Sequence, residues 1–138
     1  MIVPDTYIIA YALIEGPRTA LARRALTLDP DWRLPALWAH EFLNILATYV
    51  QLGGAPRSQA LRLWRRATAL LNGCVTAVDM ELALELAAEH AISAYDAQFV
   101  ALAMRTGAVL ITEDRRLRRT FPSLTASLES FCKGNPSS

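Results

Sequence analysis

The stretch ISAYDAQFVALAMRTGAVLITEDRRL, residues 92–117, decides the fold. Ser93 is a helix-capping residue, and positions 94–105 are apolar almost throughout, through Tyr95, Ala97, Phe99, Val100, Ala101, Leu102 and Ala103. Gly107 closes that helix. Residues 108–111 then form a continuous apolar run of the kind found in a central parallel strand. Asp114 follows at the start of a basic helix, 113–121, which Pro122 stops. A helix feeding a short buried strand that feeds another helix is the repeating unit of an α/β domain.

The rest of the chain extends this pattern in both directions. Residues 1–4 read as a strand ended by Asp5, and 6–13 as a helix apolar nearly all round, as a buried helix must be. Gly16-Pro17 breaks it, and a second helix, 19–28, stops at Asp29-Pro30. Residues 32–35 predict a short second strand. Trp38, Phe42, Ile45, Leu46 and Tyr49 mark a helix over 37–51, closed by Gly53-Gly54. Pro56 and Ser58 open a fourth helix with Leu61, Trp64, Ala67 and Leu71 on one face, closed by Asn72-Gly73. A third strand is expected at 74–78, a helix capped by Asp79 at 80–90, and a short edge strand at 124–126. These elements predict one α/β domain over residues 1–132, a parallel sheet covered by helices on both faces. Residues 133–138, KGNPSS, have nothing to bury and predict a flexible tail.

With 138 residues and 53% hydrophobic content, the chain has enough apolar surface for a core without disulfides or metal staples. The net charge of +1 announces no global basic field, so any nucleic-acid surface must be local. Cys74 and Cys132 form no CxxC pair and read as reduced thiols, and the opening MIVPDTYIIA lacks the basic start of a secretory signal. No run of about 18 apolar residues occurs, so no membrane span is predicted. A cytoplasmic location is expected.

The acids carry the chemistry. Singly, each has an ordinary explanation: Asp5 and Asp114 precede helices, Asp96 sits at capping-box spacing from Ser93, and Glu41 can be a solvated position beside Asn44 and Thr48. Together they form a pattern. Asp5 and Asp114 follow the ends of inner strands, and ligands of open α/β sheets bind outside those carboxyl ends. Asp96 lies in the first turn of an otherwise packed helix, so its carboxylate must face a polar neighbour or a cleft. Carboxylates gathered on one rim repel one another unless a cation compensates them. Magnesium and manganese prefer such oxygen ligands and keep several waters. His40 and His90 are the only histidines, which disfavours a metal-free histidine ribonuclease, and no clustered Cys/His spacing suggests zinc. No GxxxxGK[ST] loop or GxSxG elbow is present.

Four pieces, MIVPDT, ALWAHEFLNIL, ISAYDAQFVALAMRTG and VLITEDRRL, resemble the PIN-domain family, in particular the VapC-type toxins of toxin–antitoxin pairs. The resemblance spans almost the whole chain. Carried over, Asp5, Glu41, Asp96 and Asp114 match the family's acidic quartet, with Asp5, Asp96 and Asp114 as metal ligands, and Thr112 matches its small hydroxyl residue. It implies a five-stranded parallel sheet in the order 3-2-1-4-5, a Mg²⁺- or Mn²⁺-dependent endoribonuclease, a homodimer, and neutralisation by a cognate antitoxin. The chain departs from the family in having Asp5-Thr6-Tyr7 where Asp-Thr-Asn is usual, and Pro4 closes its first strand.

Arg115, Arg116, Arg118 and Arg119 follow Asp114, and Arg57, Arg62, Arg65 and Arg66 decorate the fourth helix. Both sets read as solvated helix faces, with Arg115 and Arg116 the better placed to touch an RNA phosphate or pair with an acid. The leading expectation is a metal-dependent ribonuclease toxin. The alternatives are a PIN-like binding module weakened in catalysis, and a metal-dependent phosphatase or DNA nuclease.

Overall fold

A computed structural model describes residues 1–134. In chain order these are β1 (Ile2–Pro4), α1 (Thr6–Leu13), α2 (Thr19–Leu28), α3 (Trp38–Gln51), α4 (Arg57–Leu71), a 3₁₀ turn (Asn72–Cys74), α5 (Met80–His90), α6 (Ala94–Thr106), β2 (Val109–Ile111), α7 (Arg115–Thr120), β3 (Thr125–Ala126) and α8 (Leu128–Gly134). Four helix starts are fixed by side chains that accept a backbone N–H three residues on. Asp5 takes Ile8, Asp79 takes Leu82, Ser93 takes Asp96 and Asp114 takes Leu117. Gly107 ends α6 at φ 72°, a left-handed conformation natural to glycine.

The sheet is parallel, in the order β1-β2-β3, with Ile2 opposite Val109 and Pro4 opposite Ile111. Successive strand residues point to opposite faces, and the core divides accordingly. Ile2 and Ile111 join one cluster with α1, α2, α3, α4 and α8, built around Ile8, Ile9, Trp38, Phe42 and Leu71. Val3 and Leu110 join the other with α5, α6 and α7, built around Ala97, Val100, Leu102 and Leu117. The α/β domain with helices on both faces is therefore present.

Among the described residues the expectation of five strands is corrected to three. The segments expected as second and third strands touch the sheet edge only as isolated parallel bridges, Ile2 with Trp32 and Leu34 with Val75. Proline supplies the reason. Ile2 exchanges two backbone hydrogen bonds with its neighbour, Ile2 N to Asp31 O and Arg33 N to Ile2 O, each 2.9 Å. The next β1 residue facing that side is Pro4, which has no N–H to donate, and Pro35 ends the neighbouring segment likewise. Cys74 is wound into the 3₁₀ turn, which leaves Leu34 only Cys74 O and Thr76 N as partners.

The eighth helix is an addition to the sequence expectation. Leu128 and Cys132, one turn apart, are buried against α2, and the Cys132 thiol lies 3.7 Å from Leu21 O. Of the tail expected at 133–138, Lys133 and Gly134 close α8, and 135–138 lie outside the described residues. Among the described residues no helix is long and apolar enough to cross a membrane. Cys74 and Cys132 are free thiols.

Candidate functional site

The four acids singled out in the sequence come from four different elements and line one cleft of about 320 Å³ beyond the carboxyl ends of β1 and β2. Asp5 arrives because β1 ends there: its N–H donates to Ile111 O at 3.0 Å, extending the ladder by one bond. Its Oδ1 then caps α1 through Ile8 N at 3.1 Å. Asp114 is placed the same way beyond β2, its Oδ1 accepting Leu117 N at 3.0 Å. Asp96 stands in the first turn of α6, where the Ser93 hydroxyl accepts its N–H. Glu41 stands in the first turn of α3.

Two threonines hold these groups. Thr6 Oγ1 donates to Glu41 Oε1 at 2.6 Å, tying α1 to α3 across the cleft. Thr112 is fully buried; its Oγ1 accepts Asp114 N at 3.0 Å, and its side chain also hydrogen-bonds Asp5. Thr112 thus links the first of the four acids to the last.

The electrostatics record the crowding. Burial pushes the Asp5 carboxyl up to about 6; the Glu41 charge adds to this, and hydrogen bonds from Thr112, Ile8 and Tyr7 oppose it. Burial likewise raises Glu41, with the Asp96 charge adding and the Thr6 hydroxyl opposing. Burial raises Asp96 too, with Asp114 adding and Ser93 and Arg116 opposing. Each acid therefore feels the next, from Asp5 through Glu41 and Asp96 to Asp114. Among the described residues no Lys or Arg lines the cleft.

Among the described residues no group of three or more His, Cys, Asp or Glu side chains is placed to hold a metal ion. The acids instead border an open cleft, and a hard divalent ion that keeps its waters suits that arrangement. An all-oxygen donor set in which the Asp5, Glu41 and Asp96 carboxyls are raised, with no cationic side chain among the described lining residues, fits magnesium or manganese by its chemistry.

The structure does not bring the two candidate arginines into the cleft lining. Arg116 Nη2 donates to Ala91 O at 2.7 Å, behind Asp96, whose charge it still moderates. Arg115 lines a separate concavity with Arg118 and Arg119.

Sequence reasoning missed Glu113 and the aromatic wall. Glu113 is a fifth acid on the cleft, but it is committed: Oε1 accepts Arg18 Nη2 at 2.6 Å and Oε2 accepts Leu128 N at 2.7 Å. Its place two residues past β2, beside Asp114, was the available signal. Tyr7 and Tyr11 line the cleft with ring centroids 6.5 Å apart, and Arg18 lies 5.8 Å over the Tyr11 ring. Tyr7 is largely exposed, so a bulky ring stands on the rim beside Asp5. Trp38 and Trp64 stack on each other at 6.3 Å, and Trp32 Nε1 donates to Leu26 O and Asp29 O. The tryptophans are structural.

A parallel sheet whose strand ends carry a rim of acids defines a class, and the sequence comparisons agree with it: the chain belongs to the PIN-domain family, whose pattern matches residues 2–121. It is similar to Ribonuclease VapC3 of Pyrobaculum aerophilum, at 32% identity over 127 residues, covering 89% of this chain and 96% of that protein.

Proposed function

We propose that the protein is a Mg²⁺- or Mn²⁺-dependent endoribonuclease, the toxin component of a toxin–antitoxin pair. The observation that carries this reading is the cleft in which Asp5, Glu41, Asp96 and Asp114 converge with no cationic side chain among the described lining residues. The similarity to a named VapC ribonuclease along nearly the full length of both chains supports it.

Asp5, Asp96 and Asp114 would hold the ion. When bound, it lowers the pKa of water and offsets charge developing on the phosphate. Asp5 and Asp114 each have one oxygen tied to a helix N-terminus, so the other is aimed by the backbone rather than by a free rotor. Glu41 has Oε1 engaged by Thr6, which leaves Oε2 to take a proton from the attacking water. Its raised pKa suits it to that task, because a base is most effective when its pKa approaches the working pH. A cognate antitoxin, a homodimer and a cytoplasmic location complete the proposal.

The test is cleavage of single-stranded RNA by wild type and Asp96→Asn, each with Mn²⁺ and with EDTA. Cutting by wild type in Mn²⁺ alone is expected. Cutting that persists in EDTA, or undiminished in Asp96→Asn, would overturn it. Duplex DNA and a chromogenic phosphomonoester, run beside the RNA, separate the nuclease from a phosphatase or DNA nuclease.

A further inference from the structure

We infer that Arg115, Arg118 and Arg119 form a phosphate-binding face on α7 that holds the RNA backbone beside the scissile position; this rests on the ribonuclease reading above. The three residues have the i, i+3, i+4 spacing of one helix face, and together they line a concavity of about 280 Å³. Asp114 caps α7 and Leu117 on that helix lines the acid cleft, so this concavity and the cleft lie on the same helix.

Arg18, Arg23, Arg33, Arg105 and Lys133 each pair with a carboxylate; among the described residues no ion pair involves an α7 arginine, Arg24 or the arginines of α4. Arg118 reaches only the Glu113 carbonyl, at 3.4 Å, and its Nε is buried without an acceptor. Helix electrostatics account for part of the cluster only. Arg118 and Arg119 lie in the last turn, where a cation is favoured, but Arg115 occupies the first turn, where the helix dipole opposes it. Like charges at i, i+4 repel as well. A concave group of guanidinium forks lacking carboxylates matches the charge and geometry of phosphate oxygens. Arg62, Arg65 and Arg66 on α4 repeat the spacing, but no acid of the cleft lies on that helix.

That second cluster supplies the control. A fluorescein-labelled single-stranded RNA of about twenty nucleotides is titrated in Mn²⁺ against Asp96→Asn, which prevents cutting, over a range of salt. Arg115→Gln with Arg119→Gln is expected to weaken binding by roughly five- to thirtyfold. The slope of log K against log salt should shrink by about 1.4, near 0.7 per lost contact on a single strand. Arg62→Gln with Arg65→Gln, the same change in net charge, should leave both within error. Equal losses in the two pairs, or no loss in the α7 pair, would overturn the inference while RNA cutting by wild type keeps the ribonuclease reading. Wild type that neither binds nor cuts the RNA would remove both.

Discussion

Asp5→Asn should make the metal-free protein more stable, although it removes a residue proposed to be essential. The Asp5 carboxyl is lifted from 3.8 to about 6 by burial beside Glu41. One pKa unit is worth about 1.4 kcal/mol, so keeping Asp5 ionised in the folded state costs ~3 kcal/mol. The sign follows from proton linkage. Between pH 3.8 and about 6 the folded chain binds the Asp5 proton more tightly than the unfolded chain, so stability falls as pH rises through that window. Above pH 6 the full penalty applies, and below 3.8 it vanishes. Asparagine is neutral throughout and can still accept the Ile8 N–H as an N-cap. It loses some of the network around Thr112, so a net gain of about 1–2 kcal/mol is expected at pH 8 in EDTA, near 4–8 °C in melting temperature. The assay is a set of thermal melts of both proteins from pH 4 to 8 with EDTA, repeated with Mn²⁺. The gain should shrink toward acid pH, and Mn²⁺ should erase it by stabilising only the wild type. An Asp5→Asn protein melting at or below wild type at pH 8 in EDTA would refute the idea of a strained carboxylate in the cleft.

Three further outcomes follow from the same contacts. Mn²⁺ affinity measured by calorimetry should fall as pH drops through about 6, because protons then compete for Asp5; affinity flat from pH 8 to 5 would count against Asp5 as a ligand. Thr112→Val keeps the shape but deprives Asp114 N and Asp5 of their hydroxyl partner, and should cost ~1–2 kcal/mol in urea unfolding with a marked loss of RNA cleavage. Glu113→Ala leaves Leu128 N without its acceptor and Arg18 without its partner, and should cost about 1–3 kcal/mol. Hydrogen exchange should then show α8 losing protection before α6.

Much of this fold was legible because punctuation and periodicity agree locally. Asp79, Ser93, Gly107 and Pro122 mark boundaries that backbone hydrogen bonding also observes, and the apolar run at 108–111 became the central strand. The two lost strands show where local reading stops. A strand is a property of pairs, and Pro4 removes from β1 the donor that the segment at 32–35 needed. The helix α8 was hidden for another reason: seven residues carry too little periodicity, and their burial depends on α2, more than a hundred positions earlier. The acids were legible as a set, since strand ends and one packed helix constrain where Asp5, Asp114 and Asp96 can point. Glu113 was not, because its salt bridge to Arg18 crosses 95 positions and leaves no trace in local pattern. Nor could spacing say that Arg116 would turn back to Ala91 while Arg115 turned away from the cleft.

Asp5 and Asp114 each serve as the first anchor of a helix as well as a wall of the cleft. Folding has therefore already frozen these side chains before any ion arrives, and binding need not immobilise them again. The same economy constrains change: alanine at either position unravels a helix start and empties the rim together, whereas asparagine separates the two roles. Sequence drift that silences the chemistry while keeping the architecture should accordingly run through amides at these two positions.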